Sequence, residues 1–254
     1  MSTILLIDIG NTRIKWARLT GSALDAQAAA PHADCTAQTL TQSILNSGQR
    51  AERVLISNVG GARIGDVARE AVVTTWGIQP EFVQSTRAAG GIRNSYPEPA
   101  HLGVDRWLAM IGARSLEQRA ICVVSVGTAM TIDGVDASGR HLGGLIVPGP
   151  DLMVSSLLHN TSEIAQRARQ GTTREHVFAD NTLGAIRQGA EHALAALIVR
   201  SVQSMRDELN ETPTLMLTGG ACARVEHAIG LTCQVIPDLV LRGLAVLAAE
   251  SAAK

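Results

Sequence analysis

The stretch that most constrains how this chain can fold is residues 4–15, Ile-Leu-Leu-Ile-Asp-Ile-Gly-Asn-Thr-Arg-Ile-Lys, because its pattern returns 117 residues later. The apolar run 4–7 delivers Asp8 at its end; Gly10, Asn11 and Thr12 turn the chain; residues 13–19 read as a returning strand. In residues 120–134 an apolar run ends in Ser125, followed by Val126, Gly127, Thr128 and a second strand. A third strand at 142–147 follows the second hairpin. A chain that restarts in this way predicts two similar domains, 1–118 and 119–254, with a cleft between them.

Strands alternate with helices behind each hairpin, so the expected class is α/β with a mixed sheet in each domain. Residues 37–45 have the spacing of a short helix, 53–59 and 81–84 read as strands, and 62–76 as a helix, while the Ala-rich 23–31 reads as a loop. Helical pieces are expected at 151–158 and 162–169, followed by a polar segment over 171–180. Asn181 or Thr182 then caps a long helix over 183–209. A short strand at 214–217 ends in Thr218-Gly219-Gly220, and a strand at 232–236 and a helix at 239–253 close the chain.

Two readings of the first hairpin compete. An Asp and a Gly-Asn pair between strands are ordinary turn chemistry. The same residues also suit a phosphate, since glycine lets the backbone approach closely, Asn11 and Thr12 offer short donors, Lys15 a point charge, and Asp8 a ligand for a cation or its water. The Thr-Gly-Gly strand end is likewise either a common turn or a place for a nucleotide to lie against backbone. The loop 88–99, carrying the only tyrosine, Tyr96, is a binding loop or a connector. It runs into a helix with Asp105 and Arg106 in its first turn. Asp105 there either complements the helix dipole or serves as a general base, with Arg106 as a clamp for an anion.

Composition removes several classes. With a net charge of −1 and six aromatic residues, the chain has neither the basic field nor the stacking surface of a nucleic-acid binder. No apolar run reaches membrane-spanning length and the N-terminus has no basic leader, so a cytoplasmic protein is expected. The four cysteines form no Cys-x-x-Cys pair. Lys15 and Lys254 are the only lysines and neither sits in a Gly-Lys-Ser/Thr sequence, so any nucleotide is handled without a Walker A loop.

The combination is more specific than its parts. The Asp8-x-Gly-Asn-Thr hairpin, the Gly127-Thr-Ala-x-Thr-x-Asp133 hairpin and the Thr218-Gly-Gly220 strand end resemble the acetate kinase/sugar kinase/Hsp70/actin superfamily. Its duplicated ribonuclease-H-like domains clamp ATP between two hairpins. Within it, the Tyr96-Pro loop, Gly103-Val-Asp-Arg106, Gly143-Gly144 with Pro148-Gly149, and Asn181-Thr182 resemble type III pantothenate kinase over essentially the whole chain. That resemblance implies ATP-dependent phosphorylation of pantothenate to 4'-phosphopantothenate, the first step of coenzyme A synthesis. It assigns Asp8, Ile9, Gly10, Asn11, Thr12, Arg13, Ile14 and Lys15, with Thr128, to ATP, Asp8 acting through Mg²⁺. It assigns Tyr96, Gly103, Val104, Asp105, Arg106 and Thr182 to pantothenate, with Asp105 as proton acceptor. It also implies a homodimer and a monovalent cation, K⁺ or NH₄⁺. The chain departs from the pattern at Ser125, where many members carry an aspartate that helps bind that ion; a neutral hydroxyl attracts it more weakly. A non-catalytic regulator on the same fold is one alternative, against which the retention of Asp8, Asp105 and Arg106 argues; a different kinase of the superfamily, or a phosphatase that keeps the hairpins, is another, disfavoured by the block from Tyr96 to Trp107.

Overall fold

The computed structural model describes residues 2–161, 168 and 177–252; the helix expected over 162–169 and the segment 171–176 lie outside the described residues, apart from Ala168. The chain forms two compact units, one of Met1–Gln118, Gly139–His141 and Asp238–Lys254, the other of Arg119–Ser138 and Leu142–Pro237.

The first unit opens with β1 (Thr3–Ile9) and β2 (Arg13–Thr20), paired antiparallel with Asp8 opposite Lys15. Residues 23–31, expected as a loop, instead form β3 (Ala23–Leu24) and β4 (Ala28–Pro31), both paired with β2. Alanine's weak strand preference is overridden there by the open backbone groups of an edge strand. A short helix α1 (Ala37–Leu40) continues as a π-helical turn over Thr41–Leu45, before β5 (Arg53–Asn58), α2 (Ala62–Trp76) and β6 (Glu81–Phe82). The sheet order is β3-β2-β1-β5-β6, with β5 parallel to β1 and β6 parallel to β5. The segment expected as a structureless loop contains a two-strand ribbon, β7 (Ala88–Ala89) and β8 (Ile92–Arg93), and a 3₁₀ turn at Pro99–His101 before α3 (Val104–Leu116).

Every residue of β1 is buried, which is why residues 4–7 read as an unbroken apolar run instead of an alternating one. Leu5, Ile7 and Ile9 join Val54 and Ile56 of β5 in a core with Ile44, Ile64, Val72 and Trp76. By strand alternation Ile4, Leu6 and Asp8 face the other side of the sheet.

The second unit repeats the plan with β9 (Ile121–Val126), β10 (Ala129–Val135), β11 (His141–Pro148, whose first residue, His141, belongs to the first unit), α4 (Pro150–Asn160), α5 (Thr182–Leu209), β12 (Thr214–Thr218), α6 (Cys222–Ile229) and β13 (Gln234–Val235). Its order, β11-β10-β9-β12-β13, follows the β3-β2-β1-β5-β6 path of the first sheet, without a counterpart of β4, and is antiparallel across β9/β10 and parallel across β9/β12 and β12/β13. Cys122, Val124, Met130, Leu215 and Leu217 pack against Leu194 and Ile198 of α5 and Val225 of α6.

The terminal helix α7 (Leu239–Ala252) corrects the sequence-based division, which gave it to the second domain: it belongs to the first unit and packs on α3. Glycines make this possible. A Cβ on Gly112 of α3 would lie 2.1 Å from the Leu239 carbonyl oxygen, and one on Gly243 of α7 would lie 2.1 Å from that of Leu108. The two helices thus touch backbone to backbone, and both also contact β5, on the sheet face that carries Asp8.

Candidate active site

In the first unit the register of three strands sets Lys15, Asp8 and Ser57 in one row across β2, β1 and β5. Paired strand residues project to one face, so these three polar groups share the α3 side of the sheet. Asp8 is 6% exposed and its Oδ1 has no hydrogen-bond partner among the described residues. Burial pushes its carboxyl from 3.8 up to about 6; the Lys15 charge works against this rise and the Asp105 charge adds to it.

A buried carboxylate oxygen without a partner is costly unless something occupies it. A single carboxylate with a free oxygen suits Mg²⁺, which keeps waters and takes its remaining ligands from phosphate oxygens. No group of three or more His, Cys, Asp or Glu gathers among the described residues. The donor set therefore fits an ion carried in with a nucleotide and not a fixed protein cage.

The hairpin tip is closed by Gly10 N–H donating to the Arg13 carbonyl at 2.9 Å. Beside it the end of β5 is turned by Asn58, whose Oδ1 accepts from Gly60 N–H at 3.0 Å and whose Nδ2 donates to the Gly61 carbonyl at 3.0 Å.

Asp105 lies in the first turn of α3, partly exposed, with the Arg106 N–H donating to its Oδ1 at 2.9 Å. A negative group there is favoured by the helix dipole, as the sequence suggested. Arg106, read from sequence as a clamp for an anion, is 6% exposed, and its Nη1 donates to the Tyr96 hydroxyl at 3.1 Å while its Cζ lies 5.9 Å from the Tyr96 ring centre. The Tyr96 ring also stacks on that of His141, at 6.0 Å with planes 14° apart.

The loop bearing Tyr96 is held from beneath. Buried Asn94 donates to the Thr86 and Pro99 carbonyls, both at 3.2 Å, and accepts from Tyr96 N–H at 3.0 Å; Arg87 donates to the Tyr96 and Pro97 carbonyls at 2.9 and 2.6 Å. A cavity of about 350 Å³ opens beside this loop, lined by Asn58, Val59, residues 83–85 and residues 100–104. Gly103 and Val104 thus border a space large enough for a small metabolite.

Ser57, Asn94 and His141 were missed by sequence reasoning. Ser57 carries no motif of its own and is found only by strand register, Asn94 looks like any loop residue, and His141 reaches Tyr96 across 45 residues of sequence.

In the second unit Ser125 takes the place of Asp8. The row across β10, β9 and β12 is Thr131, Ser125 and Thr218, three hydroxyls where the first unit has a lysine, an aspartate and a serine. Gly127 N–H donates to the Ala129 carbonyl at 3.0 Å, so this turn is one residue shorter than the first, and Thr128 is exposed at its tip. Gly219, with φ of +99°, has its Cα so near β9 that a Cβ would lie 2.3 Å from the Val126 carbonyl oxygen. The Thr-Gly-Gly turn is therefore a genuine close approach of backbone to backbone. Thr182 is the first residue of α5, and Asn181 is its N-cap, Oδ1 accepting from Gly184 N–H at 2.8 Å.

Of the residues expected at the site, residues 8–15, Tyr96 and residues 103–106 lie in the first unit, and Ser125, Thr128 and Thr182 in the second.

Comparison with known proteins bears on the fold and the family. Among solved structures, a Baf family protein from Campylobacter jejuni superposes with a TM-score of 0.60 at 20% identity, covering 98% of this chain and all of that one. Component A of the (R)-2-hydroxyglutaryl-CoA dehydratase of Acidaminococcus fermentans gives 0.58 at 14%, with full coverage of both chains. At these identities the likeness concerns the fold, the duplicated ribonuclease-H-like architecture already visible in the two sheets. A type III pantothenate kinase of Azoarcus sp. (strain BH72) is 42% identical over 252 residues, covering 98% of this chain and 92% of the relative. The type III pantothenate kinase family profile matches residues 4–204. The chain belongs to the type III pantothenate kinase family.

Proposed function

We propose that this protein transfers the γ-phosphoryl group of ATP to the primary hydroxyl of pantothenate, giving 4'-phosphopantothenate and ADP, the first step towards coenzyme A. The observation that carries the chemistry is the pairing of Asp8, a buried carboxylate with an unpartnered oxygen, with Asp105 on the first turn of α3, near enough for the two charges to act on each other.

In this reading residues 8–15 and Thr128 bind ATP, and Lys15 balances charge at its phosphates. Bound Mg²⁺, held through Asp8 or its water, supplies charge neutralisation at the phosphoryl group. The cavity beside α3, bordered by Gly103 and Val104, takes pantothenate, with Tyr96 and Arg106 contacting it from the neighbouring loop and helix turn. Arg106 donates to the Tyr96 hydroxyl there and so helps to place it.

Asp105 accepts the proton of the attacking hydroxyl as its oxygen bonds to phosphorus and the bond to ADP breaks. Phosphoryl transfer asks mainly for positioning and charge neutralisation, and a single carboxylate suffices to orient the nucleophile.

Two further features belong to this proposal. The molecule works as a homodimer in which Thr182 contributes to a pantothenate site. Support comes from an apolar surface among the described residues of the second unit: Leu145, Ile146, Leu152 and Leu157 are 43–63% exposed, and α4 buries only Pro150. The monovalent-cation requirement is weak, because Ser125 and its neighbours Thr131 and Thr218 offer hydroxyls and no charge.

The test is a coupled ADP-release assay with ATP, Mg²⁺ and pantothenate, in Na⁺ and in K⁺ or NH₄⁺. Wild type turns over with little difference between the ions. Asp105→Asn loses about 10²–10⁴-fold in kcat, the usual worth of a general base, with KM for ATP little changed. Absence of turnover under every ion condition would sink the kinase reading; an active Asp105→Asn would remove the base assignment alone.

A further inference from the structure

We propose that His32 is a positioning residue for the ATP-binding turn: it holds the Gly10 carbonyl inward and so turns the Asn11 N–H outward, towards the phosphates of the nucleotide. This rests on the reading of residues 8–15 as the ATP site.

His32 follows β4, whose pairing with β2 sets Pro31 opposite Arg13 and so brings the next residue to the hairpin tip. There His32 makes two contacts with the turn. Its backbone N–H donates to the Thr12 carbonyl at 3.3 Å, and its Nε2 lies 2.7 Å from the Gly10 carbonyl oxygen. A carbonyl can only accept, so Nε2 carries the hydrogen and the ring is a donor at this position. The residue is 5% exposed, and its Nδ1 is buried with no partner among the described residues. The hydrogen bond to Gly10 is thus the one polar contact of the ring among the described residues. Arg63 fixes the segment from the far side, donating to the His32 and Ala33 carbonyls at 3.4 and 3.2 Å.

The Gly10 carbonyl is confined on a second side. A Cβ on Gly60 would stand 2.7 Å from it, so the bare Cα at that position is what gives the oxygen room. A peptide unit is planar and trans, which makes its N–H point opposite to its C=O. Holding the Gly10 oxygen against His32 and Gly60 therefore aims the N–H of Asn11 away from the protein interior. Asn11 is exposed at the tip, whereas the Gly10 N–H is already spent on the Arg13 carbonyl. An outward backbone N–H on a glycine-containing turn is a donor for an anion, and here its direction is set by a buried side chain.

The test compares two near-isosteric replacements. His32→Gln puts an amide N–H at the same number of bonds from Cα, while His32→Met fills the same slot without a donor. Calorimetric titration of full-length protein with Mg²⁺ and a non-hydrolysable ATP analogue should give a Kd about tenfold weaker for His32→Met, the worth of one well-placed hydrogen bond, and nearly native for His32→Gln. KM for pantothenate should be unchanged in both. Equal affinity in the two variants, whether both native or both weak, would overturn the proposal.

Gly60→Ala decides the matter if His32→Met does not fold. Its methyl displaces the same carbonyl while leaving His32 intact, so the same selective loss of nucleotide affinity is expected, and a folded Gly60→Ala that binds the analogue normally would refute the role. The wild-type arms separate this inference from the kinase reading. Binding of the analogue without pantothenate phosphorylation fails the kinase reading and leaves the His32 comparison standing; no binding of the analogue fails both.

Discussion

Asp8 shows what a buried carboxylate costs the fold that carries it. Its folded pKa of about 6 lies above the ordinary 3.8, so the native state holds this proton more tightly than the unfolded chain does. The stability linked to it is fully present below about pH 4 and is lost as pH rises through about 6. At pH 8, without nucleotide, the buried charge costs roughly 3 kcal/mol, at about 1.4 kcal/mol for each pH unit by which the carboxyl has risen. Asp8→Asn should therefore be more stable than wild type in urea denaturation at pH 8, by up to that amount. The advantage should shrink through pH 6 and vanish near pH 4, while turnover is lost. A variant less stable than wild type at pH 8 would show that the carboxylate is satisfied in a way the orphaned Oδ1 does not suggest. Asp8 itself was legible in the sequence, because an acid ending an apolar run before Gly-Asn-Thr is a local pattern. Its burial was not, since that depends on α3 and α7 covering the sheet.

Among the elements, the pair α3 and α7 carries the most consequence for the site, because α3 holds Asp105 and Arg106 and α7 holds α3. The contact runs through Gly112 and Gly243, where carbonyl oxygens of the opposite helix come within 2.1 Å of the absent Cβ positions. Gly112→Ala cannot be accommodated by a rotamer change, since the obstacle is backbone. It should cost about 1–3 kcal/mol or more, as overpacked cores do. At several degrees of melting temperature per kcal/mol, thermal denaturation would read this directly. If helix separation also displaces Asp105, kcat falls with stability; a native melting temperature would mean that the two helices have more freedom to part than their backbone contact indicates. The sequence announced both helices through their apolar spacing, yet assigned α7 to the wrong half. Chain continuity favours neighbours in sequence, while the apolar face of α7 found its partner 130 residues earlier, in α3.

On the scale of the whole molecule, two copies of one sheet plan have diverged in charge. The row Lys15–Asp8–Ser57 in the first copy answers to Thr131–Ser125–Thr218 in the second, so the charged groups of these rows lie in the first. The second copy instead carries the exposed apolar surface of β11 and α4. Ile146→Glu combined with Leu157→Glu should convert the proposed dimer to monomers in sedimentation velocity, leaving the circular dichroism spectrum intact. An unchanged sedimentation coefficient would place the subunit contact elsewhere.

By itself the sequence determined that this chain is built twice from a strand, a glycine turn and a strand, because strand periodicity, turn chemistry and glycine's steric freedom act over a few residues. It also identified the motif-bearing residues Asp8, Thr128, Tyr96 and Asp105 for the same reason. Only the tertiary structure decided that Asp8 is buried, that α7 supports α3, that Tyr96 lies on His141, and that His32 in an alanine-rich stretch reaches Gly10. Each of these depends on desolvation or on contacts between distant segments, and both come into being only when the elements pack.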